Sequence, residues 1–284
     1  MACRFYPDTN VIHLIRSLWT PAQFDRKAVA GGYTLCIGHQ TYELARSFLY
    51  DHSQQAVKEA FAFLSEIECI DYLPDVNSYI ERELFMAKTG MPLVTVVGPL
   101  NRIATKQELL KLSRGAADVA RSFISERESN VAKDKERITK LNQAVVDKAK
   151  ALDRERAGAI KTFEMLQKEL KPGRPSWLKQ FAERKRRKVT TYAIDRILAD
   201  PLRYPLLNTV VFSQEYLYFI STFHKKAPGK DTLDDFRQLV ESSVCDLFIT
   251  NDENLLRQSQ TIRPFKPALS WEKFRVAFDA EREA

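Results

Sequence analysis

Arg4-Phe5-Tyr6-Pro7-Asp8-Thr9-Asn10-Val11-Ile12 reads as a short strand that runs into a carboxylate and then at once into a helix. The apolar lead Phe5-Tyr6 gives way to the polar step Asp8-Thr9-Asn10. Val11, Ile12, Leu14, Ile15 and Leu18 then recur at the spacing of an amphipathic helix. Ligands of open α/β sheets bind in the crevice beyond the carboxyl ends of the strands, so an acid placed there is a candidate for chemistry. Asp and Asn are also ordinary helix N-caps. The stretch therefore needs partners elsewhere in the chain before it means more than a cap.

Working outward, Gly31-Gly32 is a turn and Tyr33-Thr34-Leu35-Cys36-Ile37 a second strand. Thr20-Pro21 ends the first helix or opens a short second one. Gly38-His39-Gln40 turns into a helix carrying Tyr42, Glu43, Leu44, Ala45, Phe48 and Leu49. Gln54 to Glu66 repeats the helical pattern, and Ile67 to Leu73 is a third strand closed by Pro74. The order βαβααβ, with long connections, predicts parallel crossovers. A helix follows over Val76 to Gly90, and Met91 to Pro99 is either a strand or a buried loop. Near the end, Leu247-Phe248-Ile249-Thr250 is a fourth strand. It stops at Asn251-Asp252, with a helix starting at Asn254 and a last amphipathic turn at Phe274 and Phe278. The expected fold class is α/β, a parallel sheet flanked by helices, interrupted by a basic α-helical insertion. The expected division is 1–100 and 205–284 for the body and 101–204 for the insertion.

Charge marks out that insertion. Residues 101–204 hold 26 Lys and Arg against 14 Asp and Glu, whereas the remaining residues hold 18 against 23. A basic segment set in an acidic body points to a polyanion partner. Ile124, Val131, Ile138, Val145, Leu152, Ala159 and Leu166 recur at seven-residue spacing with mostly polar companions, predicting a long helix or helical hairpin with a thin apolar seam. Lys171-Pro172-Gly173-Arg174-Pro175 reads as a break, after which Ser176 caps a helix ending in Arg184-Lys185-Arg186-Arg187-Lys188. Such a run is often only a solvated face. With Trp177, Lys179 and Arg174 close by, it also suits phosphate contacts, which give salt-dependent, sequence-blind affinity. After the break at Asp200-Pro201, Leu206 to Phe223 is apolar and aromatic, but its Ser213, Gln214 and Glu215 suit a core helix.

The 284 residues contain no run of eighteen apolar ones, and the first residues lack a long apolar region, so a cytoplasmic protein without membrane association is expected. Cys3, Cys36, Cys69 and Cys245 show no metal-ligand spacing and read as buried free thiols. His13 and His39 read as packing or surface residues.

Two strands therefore end alike, in Asp8-Thr9-Asn10 and Thr250-Asn251-Asp252. As parallel neighbours they would bring both acids to one sheet edge. Glu43 opens the helix after the second strand, and Asp234 or Asp235 opens the helix before the last. Crowded carboxylates repel and are usually neutralised by a hard divalent cation. Such a site activates water and stabilises charge on a phosphoryl group.

These residues resemble a PIN domain, a family of Mg²⁺- or Mn²⁺-dependent, mostly RNA-cleaving nucleases that includes bacterial ribonuclease toxins. The resemblance covers about residues 1–75 and 231–284. It implies that Asp8 is the first metal ligand and Glu43 the second. The third acid would be Asp235, seventeen residues before the last, with Asp234 one position off. Asp252 would be the fourth. Thr9, Asn10, Thr250 and Asn251 would support the site. Outside the resemblance, the basic run suggests that Arg174, Lys179, Arg184, Lys185, Arg186, Arg187 and Lys188 hold the backbone of RNA or single-stranded DNA. An inhibitor protein or a second copy could bind the helical insertion. Pro7 before the first acid and His39 opening the Glu43 helix depart from the family pattern. A second reading is a PIN-like nucleic-acid-binding or assembly module without catalysis. A third makes Asp8 the nucleophile of a phosphatase, although Asn10 stands where that chemistry wants a second acid.

Overall fold

Strand β1 (Cys3–Pro7) occupies the centre of a five-stranded sheet, between β2 (Tyr33–Ile37) and β4 (Leu247–Thr250). With β3 (Ile70–Tyr72) and β5 (Ala268–Ser270) at the edges, the order is β3-β2-β1-β4-β5, and every pair is parallel. The register sets Phe5 against Leu35 on one side and Leu247 on the other. In the computed structural model the described residues are 2–50, 54–91, 104–125, 162–185, 187–222 and 230–280.

Alternation along the strands separates two faces. Phe5, Leu35, Ile37, Leu247 and Ile249 point into one core. That core is covered by α1 (Thr9–Leu18), α2 (Pro21–Gly31), α3 (Gln40–Tyr50), α4 (Gln54–Glu66) and α14 (Trp271–Asp279). Aromatic rings fill it: Phe5 meets Phe274 at 4.8 Å, and Phe24 stacks on Phe278 at 5.4 Å. Tyr6 and Phe248 lie side by side on the other face, ring centroids 6.2 Å apart. There α12 (Lys230–Ser242) and α13 (Glu253–Ile262) lead into β4 and β5.

Thr20 opens α2 with a capping box to Gln23, so the Thr20-Pro21 step starts a helix. Gly32, at φ 67°, ends it in the left-handed conformation that glycine adopts without strain. β5 lies in the tail, where no strand is expected, because three half-buried residues offer no alternation to read. The helix expected from Ser176 starts earlier. α8 (Phe163–Leu170) passes through a 3₁₀ turn (Lys171–Gly173) straight into α9 (Arg174–Arg184), with Pro175 in its first turn. Proline lacks only an N–H that the first turn leaves unpaired anyway, so the Pro-Gly-Arg-Pro stretch is a helical corner. Cys36 and Cys245 are buried and Cys3 and Cys69 half-buried; all four are free.

Packing divides the chain into two compact units: 1–78, 99–129 and 237–284 form the first, 79–98 and 130–236 the second. These limits differ from the division at 101 and 204. α6 (Lys106–Ser113) and a helix over 117–125, α7, belong to the first unit, where Leu109, Leu112 and Ala120 join the sheet core. α11 (Pro205–Thr222) belongs to the second unit, where Phe219 packs on Phe163 and Leu166. Also in that unit are α8, α9, α10 (Thr191–Ala199), most of α5 (Val76–Thr89) and the first half of α12. The Glu83 carboxylate accepts from the backbone N–H of Leu206 and Leu207 at 2.9 and 2.8 Å, satisfying donors that the start of α11 would leave bare. No helix among the described residues is long and apolar enough to cross a membrane. Of the seven-residue seam, only Ile124 and Leu166 fall among the described residues, as buried members of separate units. Val131 to Ala159 lie outside them, as does most of Met91 to Pro99.

Candidate active site

The chain reverses its winding between β1 and β4. β1, β2 and β3 step one way with helices on the Phe5 face; β4 and β5 step the other with α13 on the Tyr6 face. Such a switch point leaves a crevice at the carboxyl ends of the two central strands. Asp8 and Asp252 follow those ends directly.

Asp8 is 3 % exposed and serves two elements at once. One oxygen, Oδ1, accepts from the Val11 N–H at 2.8 Å and caps α1. The other, Oδ2, accepts from the Thr250 hydroxyl and from the Asn251 N–H at 3.3 Å. Burial pushes the Asp8 carboxyl above its ordinary range. The Thr250, Val11 and Asn251 donors pull the other way, and the charge of Asp252 adds to the rise. Thr250 Oγ1 also accepts from the Asp252 N–H at 3.0 Å, so one buried hydroxyl joins both strand ends. Asp252 is exposed and caps only its own helix, with Oδ1 accepting from Asn254 and Leu255 at 2.7 and 3.0 Å.

Glu43, in the first turn of α3, reaches the same edge. Its Oε2 accepts from the Thr9 hydroxyl and its Oε1 from Gln238 Nε2 at 2.7 Å. His39 Nε2 lies 3.7 Å from that Oε1, with the imidazole stacked on Tyr42. Pro7 ends β1, the strand position at which a missing N–H is best tolerated, and its carbonyl accepts from Gln40 Nε2 at 2.7 Å. Beneath the edge, buried Glu241 accepts from the Tyr6 hydroxyl at 3.1 Å and the His39 N–H at 2.7 Å. Burial first, then the charges of Glu241 and Glu43, push the Tyr6 phenol well above its usual value.

The expected residues thus divide. Asp8, Thr9, Glu43, Thr250, Asn251 and Asp252 come to one edge through direct bonds; Asn10 is exposed beside them. Asp234 and Asp235 lie on the part of α12 that belongs to the second unit, Asp234 buried and Asp235 half-buried. Gln238, Glu241, Gln40 and Tyr6 join the site without any mark in the sequence, and His39, expected as a packing or surface residue, joins it too. Polar residues on an amphipathic helix carry no signal until the partner strand is known.

Hard carboxylate oxygens are the donors that Mg²⁺ and Mn²⁺ take, so Asp8, Glu43 and Asp252 suit such an ion by type. Among the described residues, no three His, Cys, Asp or Glu side chains are grouped so as to hold one. The three acids are each held by protein donors instead.

Of the basic residues, Arg174 is turned onto Glu215 with two bonds of 2.7 and 2.8 Å and lies over the Phe212 ring. Arg187 pairs at the surface with Glu81. Lys179, Arg184, Lys185 and Lys188 are exposed, and Arg186 lies outside the described residues. No family model matches the chain, and neither the curated proteins nor the solved structures yield a match.

Proposed function

We propose that the chain is a divalent-metal-dependent nuclease of the PIN type, cutting RNA or single-stranded DNA inside the cell. The observation that carries this reading is the junction at the switch point, where Thr250 ties Asp8 to the β4–α13 step that ends in Asp252. Glu43 is joined to the β1–α1 step through Thr9, the residue next to Asp8. Asp8, Glu43 and Asp252 would hold Mg²⁺ or Mn²⁺. A bound ion would supply Lewis-acid stabilisation of the phosphoryl oxygens and a lower pKa for attacking water. Thr250 and Thr9 fix the orientation of Asp8 and Glu43 as hydrogen-bond donors, and Gln238 holds the second oxygen of Glu43. The exposed lysines and arginines of α9 and beyond would hold phosphates.

The test is cleavage of labelled single-stranded RNA and DNA with Mg²⁺, Mn²⁺ or EDTA, repeated with Asp8→Asn. Activity that needs the metal and vanishes in the variant is expected. Cleavage that survives either change rules the reading out. One observation favours a second reading, an assembly or nucleic-acid-binding module without catalysis. Asp8 and Asp252 each cap a helix, and among the described residues no three His, Cys, Asp or Glu side chains are grouped so as to hold a metal. That reading predicts binding with no cleavage under any metal.

A further inference from the structure

Residues 171–188 hold eight basic residues against one acid, Glu183. Helix dipoles account for cations in the last turn of α9, at Arg184 and Lys185, but not for Lys179 or Lys188. An aromatic pair lies among these charges. Leu178, Phe181 and Ala182 face the interior of their unit, while Trp177 sits at the border of that buried stripe and is only partly covered. Its indole stacks on Phe181 with ring centroids 5.4 Å apart and planes at 14°. Arg184 follows Trp177 by seven residues and so lies on the same edge of the helix, about 10 Å away. A flat ring held from behind by a second ring, flanked by cations, is the arrangement that binds single strands: bases stack while phosphates are neutralised. A duplex hides its base faces and would meet only the charges.

We infer that Trp177 is a base-stacking platform, making the α9 face selective for single-stranded nucleic acid over duplex. The inference rests on the nuclease reading for its choice of polyanion. Trp19 and Trp271 are buried at 8 % and 5 % exposure, so quenching of intrinsic fluorescence reports mainly Trp177. The full chain would be titrated in EDTA with a twelve-nucleotide oligo(U) and with a duplex of equal length. Saturable quenching by the single strand is expected, and anisotropy of a labelled oligo(U) should show Trp177→Ala weakening binding about tenfold and Trp177→Phe by much less, from the worth of one stacked base. Equal quenching by duplex, unchanged affinity in Trp177→Ala, or no binding of either overturns it. The last outcome would leave the patch to an acidic protein partner. Because binding is read without metal, absent stacking beside Asp8-dependent cleavage counts against this inference alone. Stacking without any cleavage counts against the nuclease reading alone.

Discussion

The steps β1–α1 and β4–α13 are the same device built twice on adjacent parallel strands, yet they end in different states. Each strand delivers a short polar step and an aspartate that caps the following helix. Asp252 does this in solvent with one oxygen. Asp8 does it in the core, with the second oxygen committed to the opposite strand's Thr250 and Asn251. A cap needs only the first arrangement. Burying the carboxylate raises its pKa and so opposes ionisation, which capping alone does not require. The asymmetry is what separates a candidate reacting group from an ordinary helix start.

The sharpest way to break the comparison is catalytic. Asp8→Asn keeps a capping side chain and should lower cleavage at least a hundredfold, about 3 kcal/mol of transition-state stabilisation. Asp252→Asn, at the exposed step, should cost roughly tenfold. Single-turnover rates at saturating Mn²⁺ measure both, and equal losses would mean that burial does not distinguish the two acids. Next comes the hydroxyl between them. Thr250→Val preserves shape but leaves a buried carboxylate short of a donor, and should destabilise by about 2 kcal/mol in urea unfolding. A change below about 0.5 kcal/mol would show that the bridge contributes nothing net.

How much of this was legible before the fold was known follows from what sets each feature. Asp8 and Asp252 stood out because both follow an apolar run at a strand end, a pattern confined to a few neighbouring residues. That β1 and β4 are direct neighbours is set by pairing 242 residues apart in sequence, as in the bond from Thr250 to Asp8. Gln238 and Glu241 become meaningful only once α12 lies over Glu43 and Tyr6. Arg174 misled for the opposite reason. In sequence it belongs to a basic stretch, but its partner Glu215 lies 41 residues on and turns it inward. The unit boundaries were illegible because a run of charge does not reveal which helices bury their apolar faces together; Leu109 and Leu112 join the sheet core from within the basic segment.

The exposed step gives a smaller effect. Asp252→Ala removes a cap in water and should cost about 1 kcal/mol, with Asp252→Ser restoring most of it. A loss as large as that of Thr250→Val would place Asp252 in the same buried network as Asp8 and erase the asymmetry.

The last effect is one of sign. Asp8 has a folded-state pKa above its unfolded value, because burial and the charge of Asp252 outweigh three hydrogen-bond donors. The folded state therefore holds the proton more tightly than the unfolded chain does. This favours folding fully below the ordinary carboxylate range, and the benefit is lost as pH rises through the raised value. The Asp8→Asn side chain has no such proton to hold. Measured in EDTA, the stability of wild type relative to Asp8→Asn should therefore be greater at pH 4 than at pH 7. Melting temperatures of the two proteins at both values decide it, since groups that do not sense residue 8 cancel in the difference. A shift of the opposite sign would mean that the Thr250, Val11 and Asn251 donors prevail over burial. Asp8 would then be a carboxylate held charged like any well-made cap, and the two steps would differ in position alone.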